Sequence, residues 1–130
     1  MIMKDFSVGI DVEDIDRFEK WAKSRNAARL QKVYTEAELD YCFRKKRPAQ
    51  HLAARFCAKE AVVKALSALG LKTHYGKIEV VKNSRGVPQI RFLNSRIEKE
   101  IDVCISLTHS KNQALAFAIA GRKVPRRSAT

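Results

Sequence analysis

The chain has 130 residues, 45% of them apolar, and 26 Lys and Arg against 14 Asp and Glu, a net charge of +12. That length suits one domain with one sizeable core and excludes two, and the apolar share excludes wholesale disorder. The charge calls for something acidic: nucleic acid, anionic membrane, a phosphate-bearing ligand or an acidic protein.

Phe6, Val8, Ile10 and Val12 alternate with Ser7, Gly9 and Asp11, the period of a strand with one apolar face and Asp11 on the other. Ile15, Phe18, Trp21 and Ala22 recur at helical spacing, which predicts a helix over about 13–25 carrying Arg17, Lys20, Lys23 and Arg25. Thr35 and Glu38 fit a capping box, so a helix over about 36–44 follows, stopped by Pro48. From about 50 to 69 the chain is apolar nearly all round, with no Pro or Gly, as a central buried helix requires, and Gly70 supplies its stop. Strands are predicted over 77–82 and 89–93, joined by Asn83-Ser84-Arg85-Gly86, which is turn chemistry. A short helix over 95–100 precedes two alternating runs, 103–107 and 115–119, with His109 to Gln113 as a hairpin-sized loop. The result is a single α+β domain over 1–120, a mostly antiparallel sheet around one long helix. A basic tail over 121–130 is expected to fray.

Cys42, Cys57 and Cys104 have no CxxC spacing, which speaks against a zinc ribbon. Cys57 and Cys104 sit in apolar runs and read as buried reduced thiols of a reducing compartment. No signal peptide is visible, and no apolar run approaches the roughly 18 residues of a spanning helix. The protein reads as cytoplasmic, with no membrane partner.

Two acids stand where apolar residues belong. Glu60 falls on the arc of Ala53, Phe56 and Val63, and an acid there is expensive unless compensated. An ion pair with Lys64, four residues on, is one compensation; a metal is another, with Lys64 beside it as a phosphate clamp. Asp11 either caps the following helix or joins Glu60. Two carboxylates with a nearby Lys suit Mg²⁺, which takes its remaining oxygens from water and substrate phosphates. His109, at a strand end beside Thr108 and Ser110, is either solvated or an anion contact. Arg55 and Lys59 lie away from Glu60 and read as snorkelling to the surface. His51 and His74 have no visible partner.

These stretches resemble a known family. Gly9-Ile10-Asp11-Val12-Glu13-Asp14-Ile15-Asp16-Arg17-Phe18 is similar to the opening of the holo-acyl-carrier-protein synthases, the small bacterial phosphopantetheinyl transferases. Arg55-Phe56-Cys57-Ala58-Lys59-Glu60-Ala61, followed by Lys64, resembles their signature helix R-F-A-A-K-E-A. Tyr34 to Leu39, Gly86-Val87-Pro88 and Ile105 to Ser110 resemble three further stretches, in the family's order over residues 8–120. Cys57 stands for the usual Ala and Val87 for the usual Lys.

The resemblance implies the 4′-phosphopantetheinyl transferase fold and a Mg²⁺-dependent reaction of lipid and fatty-acid biosynthesis. The 4′-phosphopantetheine arm of coenzyme A is moved to a serine of apo acyl carrier protein, leaving adenosine 3′,5′-bisphosphate. It implies that Asp11 and Glu60 hold the metal, with Lys64 neutralising the phosphate under attack. His109 would hold the nucleotide, with Arg55, Lys59, Gly86 and Pro88 lining its site. Arg17, with Trp21 and Arg25, would meet the acidic carrier protein. A homotrimer with active sites between subunits is also implied. The base for the serine is open between a water held by the metal near Asp11 and Glu60 itself. The competing reading is a basic nucleic-acid-binding module without catalysis. Against it, aromatics are 8% and are not interleaved with the basic runs as stacking platforms would be.

Overall fold

The computed structural model describes residues 5–124. Strand β1 (Phe6–Asp14) runs directly into helix α1 (Ile15–Trp21). The helix is shorter than predicted at both ends. Glu13 and Asp14 are held in β1 by pairing with Ala114 and Gln113, and the Ile15 amide donates to the Asn112 carbonyl at 2.8 Å. Arg25 therefore lies beyond α1, in an irregular stretch before helix α2 (Ala28–Val33), a helix that the sequence reading did not anticipate.

Helix α3 (Glu36–Phe43) starts at the expected capping box: the Glu38 amide donates to Thr35 Oγ1 at 3.3 Å and the Thr35 amide to Glu38 Oε1 at 2.9 Å. Helix α4 (Pro48–Ala68) is the central element. Pro48 opens it, because proline's fixed φ and missing N–H cost nothing in a first turn. Gly70, at φ 79°, takes the left-handed conformation that closes it, and the Leu71 amide returns to the Leu66 carbonyl. A 3₁₀ turn (Tyr75–Lys77) leads to the hairpin of β2 (Ile78–Lys82) and β3 (Pro88–Phe92). Helix α5 (Ser95–Glu100), β4 (Ile101–His109) and β5 (Gln113–Arg122) complete the chain.

The fold is α+β, as expected, with the strands divided between two antiparallel sheets: β1-β5-β4 and β2-β3. Helix α4 packs across the three-stranded sheet. The contact is built from small residues, since Ala114, Ala116, Ala118 and Ala120 of β5 and Ala58, Ala61 and Ala65 of α4 are all fully buried. At Gly9 the approach is so close that an added Cβ would lie 1.9 Å from the Ala61 carbonyl oxygen.

The covered face of β1 is therefore that of Ser7, Gly9, Asp11 and Glu13, whereas Phe6, Val8, Ile10 and Val12 point outward and are 41–56% exposed. Phe117 and Ile119 of β5 share that outer face, opposite Ile10 and Val8. Cys104, expected to be buried, is exposed there too, opposite Ile119, while Cys57 is buried as expected. Strand β5 extends to Arg122, whose amide donates to the Asp5 carbonyl, and Lys123 bonds the Glu100 carbonyl. The expected basic tail thus begins inside the sheet, and its residues 125–130 lie outside the described ones. Among the described residues no helix is long and apolar enough to cross a membrane.

Candidate active site

Asp11 and Glu13 of β1 and Glu60 of α4 lie on the side where β1 meets α4, although among the described residues no three His, Cys, Asp or Glu side chains stand close enough to hold a metal ion together. Asp11 and Glu13 are neighbours on the covered face of β1, and their side chains are each only 12% exposed. Glu13 is pushed up to about 7, first by burial, then by its hydrogen bond to Asp11 and the charge of Asp11; Glu60 adds to the push and Arg17 opposes it. Burial and a neighbouring like charge both disfavour the charged form of a carboxylate. The sequence reading passed over Glu13. Its signal was there: it follows Asp11 at strand spacing and so shares its face.

Each acid has defined partners. Lys64 Nζ donates to the Ile10 carbonyl at 2.9 Å and to Asp11 Oδ1 at 3.3 Å. Arg17 pairs with Glu13 at 2.6 Å. Glu60 accepts from the Tyr75 hydroxyl at 2.5 Å, and the Glu60–Lys64 pair weighed on sequence grounds is replaced by the Lys64–Asp11 pair. The Cys57 thiol lies 3.3 Å from the Asp11 and Ala114 carbonyl oxygens. Burial and the neighbouring Asp11 push its pKa up to about 12, so it stays a neutral donor. An open groove of about 630 Å³ leads to Glu60 past Arg17, Trp21, Arg29 and Tyr75.

A second groove, of about 230 Å³, brings together Arg55, Gly86, Pro88 and His109. The Arg55 guanidinium is buried, lies 3.9 Å from the Tyr41 ring centroid, and leaves its Nε without a partner. Lys82 and Lys45 sit 5.1 and 4.5 Å from the same ring. Burial raises the Tyr41 hydroxyl, yet Lys82, Arg55 and Lys45 outweigh it and leave the pKa lowered. His51 is lowered by burial first and then by the same cations and His109. The Gln50 amide meets His109 Nε2 at 3.2 Å. A cationic pocket with an unpartnered buried donor suits an anion such as a phosphate. Tyr41, His51 and Lys82 belong to this groove and were not singled out from sequence; only the folded approach of α3, α4 and β2 reveals them.

Lys59 does not reach this groove, nor does it snorkel. It is fully buried, and its Nζ donates to Glu38 Oε1 and the Val33 carbonyl at 2.6 Å each and to the Tyr75 carbonyl at 3.0 Å. All three protons are engaged, so it is a strut between α4, α3 and the Tyr75 turn.

On the basic surface, the Arg17 guanidinium lies 5.3–5.6 Å from the rings of Phe18, Trp21 and Phe56. Arg29, which the sequence reading did not select, lies 5.4 Å from the Trp21 ring. Arg25 pairs with Glu36 and Asp40, so its charge is already matched within the chain.

Helix α4 separates the acidic cluster from the cationic groove. Glu60 and Arg55 are five residues apart, roughly 140° around a helix, and leave it on opposite flanks. The sheet repeats the separation: Ala114 of β5 pairs with Glu13 on one side and His109 on the other.

The model of the 4′-phosphopantetheinyl transferase superfamily matches residues 7–120. The holo-[acyl-carrier-protein] synthase of Geotalea daltonii is 36% identical over 124 residues, covering 88% of this chain and 96% of that protein. That of Chlamydia trachomatis serovar D is 40% identical over 120 residues, covering 88% and 98%. The solved acyl carrier protein synthase of Mycobacterium tuberculosis superposes with TM-score 0.70 at 31% identity, covering 90% of this chain and 97% of that one. The holo-(acyl-carrier-protein) synthase of Bacillus anthracis, in complex with CoA (3′,5′-ADP), superposes with TM-score 0.74 at 28% identity, covering 90% and 96%.

Proposed function

The chain belongs to the 4′-phosphopantetheinyl transferase superfamily, among the holo-[acyl-carrier-protein] synthases, and from this premise we propose that it moves the 4′-phosphopantetheine arm of coenzyme A to a serine of apo acyl carrier protein in a Mg²⁺-dependent reaction. The serine Oγ forms a bond to the pantetheine-side phosphorus. The bond from that phosphorus to the bridging oxygen breaks, and adenosine 3′,5′-bisphosphate leaves. The observation that carries this reading is that Lys64 bonds Asp11 at 3.3 Å across β1 and α4, with Glu60 one turn before it on the same helix.

The donor set fits the metal. Asp11 and Glu60 offer the hard oxygens that Mg²⁺ prefers, and Mg²⁺ takes few carboxylates, filling its other positions with water and substrate phosphate. Asp11 and Glu60 are the proposed ligands. Bound there, Mg²⁺ would draw charge from the pyrophosphate. Lys64 adds a cation beside the phosphate under attack. Arg55 and His109, with the turn at Gly86 and Pro88, take the 3′-phosphate end of the nucleotide. Arg17 and Trp21, joined by Arg29, meet the acidic carrier protein, while Arg25 is left outside this surface by its pairs to Glu36 and Asp40. The serine proton leaves to a base on the acidic side of α4, where Glu60 is positioned to serve.

The separation of the two grooves supports a site shared between subunits of a homotrimer. The outward apolar face of Phe6, Val8, Ile10, Val12, Phe117 and Ile119 supports the same assembly, since soluble monomers seldom expose so continuous a patch. Three free thiols agree with a cytoplasmic setting.

The test is the intact mass of apo acyl carrier protein after incubation with this protein and coenzyme A. With Mg²⁺ the carrier gains one phosphopantetheine arm; with EDTA it does not. An unmodified carrier in the presence of Mg²⁺ contradicts the proposal.

A further inference from the structure

Glu60 is half-buried on α4, where a carboxylate without a partner would still choose among several rotamers. Here one of its oxygens is taken: the Tyr75 hydroxyl donates to Oε1 at 2.5 Å. Tyr75 is itself fixed at two further points. Its ring packs against Phe56, centroids 5.3 Å apart, and its carbonyl accepts from the buried Lys59 Nζ at 3.0 Å. Lys59 is anchored in turn by Glu38 and by the Val33 carbonyl. A chain of contacts thus runs from the core of the molecule to one carboxylate oxygen of the acidic cluster.

We propose that Tyr75 is a positioning residue for Glu60, holding one of its oxygens so that the carboxylate meets a cation in a fixed orientation. Groups that hold a metal ligand in place commonly change metal affinity on the order of 10- to 100-fold when removed. The hydroxyl is the part of Tyr75 that acts on Glu60; the ring serves packing. This inference rests on the metal reading of the acidic cluster.

The experiment is Mn²⁺ binding to the whole protein, read by the loss of the free-ion electron paramagnetic resonance signal, without substrates. Four forms are compared: wild type, Tyr75→Phe, Glu60→Gln and the double variant. Tyr75→Phe keeps the ring and its contact with Phe56, so its thermal melting is expected to stay near that of wild type. Its Mn²⁺ affinity is expected to fall about 10-fold. In the Glu60→Gln background the same change should have no further effect, because the hydroxyl acts through that carboxylate. Tyr75→Phe binding Mn²⁺ as wild type does, or lowering affinity equally in both backgrounds, overturns the positioning role while leaving the metal site standing. Wild type that takes up no Mn²⁺ overturns both.

Discussion

Lys64 reaches from helix α4 to strand β1 and donates to the Asp11 carboxylate at 3.3 Å, leaving Glu60 to the Tyr75 hydroxyl. The cation and one acid are thereby joined across the element boundary, and among the described residues no lysine pairs with the second acid. Lys64 is half-exposed, so its role in stability is small. Lys64→Ala is expected to lower kcat by about 100-fold, as removal of a preorganised charge at a transition state does. The unfolding midpoint should hardly move. Steady-state transfer kinetics with a urea titration of the same variant check both parts; unchanged kcat would remove Lys64 from the reaction.

Arg17 is the cation that both faces the groove to Glu60 and lies over the Phe18, Trp21 and Phe56 rings. In Arg17→Ala the KM for the carrier protein should rise several-fold, and the dependence of kcat/KM on ionic strength should flatten, because a rim charge acts on encounter more than on chemistry. The KM for coenzyme A should change less. A salt dependence equal to that of wild type would take Arg17 out of the docking surface.

Lys59 and Glu38 form a fully buried ion pair at 2.6 Å. Burial pulls the lysine below its ordinary range, and Glu38 opposes that shift. Lys59→Met leaves Glu38 as an uncompensated charge and the Val33 carbonyl without its donor, at a cost of about 3 kcal/mol in unfolding free energy. Denaturant titration measures it. A loss below about 1 kcal/mol, the scale of a surface pair, would mean the pair is not the strut described.

Elements with local signatures were legible in the residues. The Thr35–Glu38 box, the long apolar run of α4, the turn at Asn83 to Gly86 and the alternation of β4 and β5 all appear where they were expected. The covered face of β1 was a different matter. Alternation tells which residues share a face and not which face meets the core. Here the covered side is the one made of Ser7, Gly9, Asp11 and Glu13, and at Gly9 α4 approaches so closely that no side chain fits. The apolar side faces out, and with it Cys104. Lys59 was misread for a related reason: helical spacing places it away from Glu60, but only the approach of α3 and of the Tyr75 turn supplies the three acceptors that make its burial tolerable. Helix α2 is short and opens at Ala27 without a side-chain cap, so it carries no starting signal.

The most direct test asks whether the acidic cluster and the cationic groove, held apart by α4, form one active site across two subunits. Glu60→Gln removes one half and Arg55→Ala the other. Each variant alone is expected to leave apo acyl carrier protein unmodified. The two co-expressed, and purified as one assembly, should transfer the phosphopantetheine arm again, because a mixed assembly contains interfaces with both halves intact. A mixed assembly as inactive as its parents would contradict a site shared between chains.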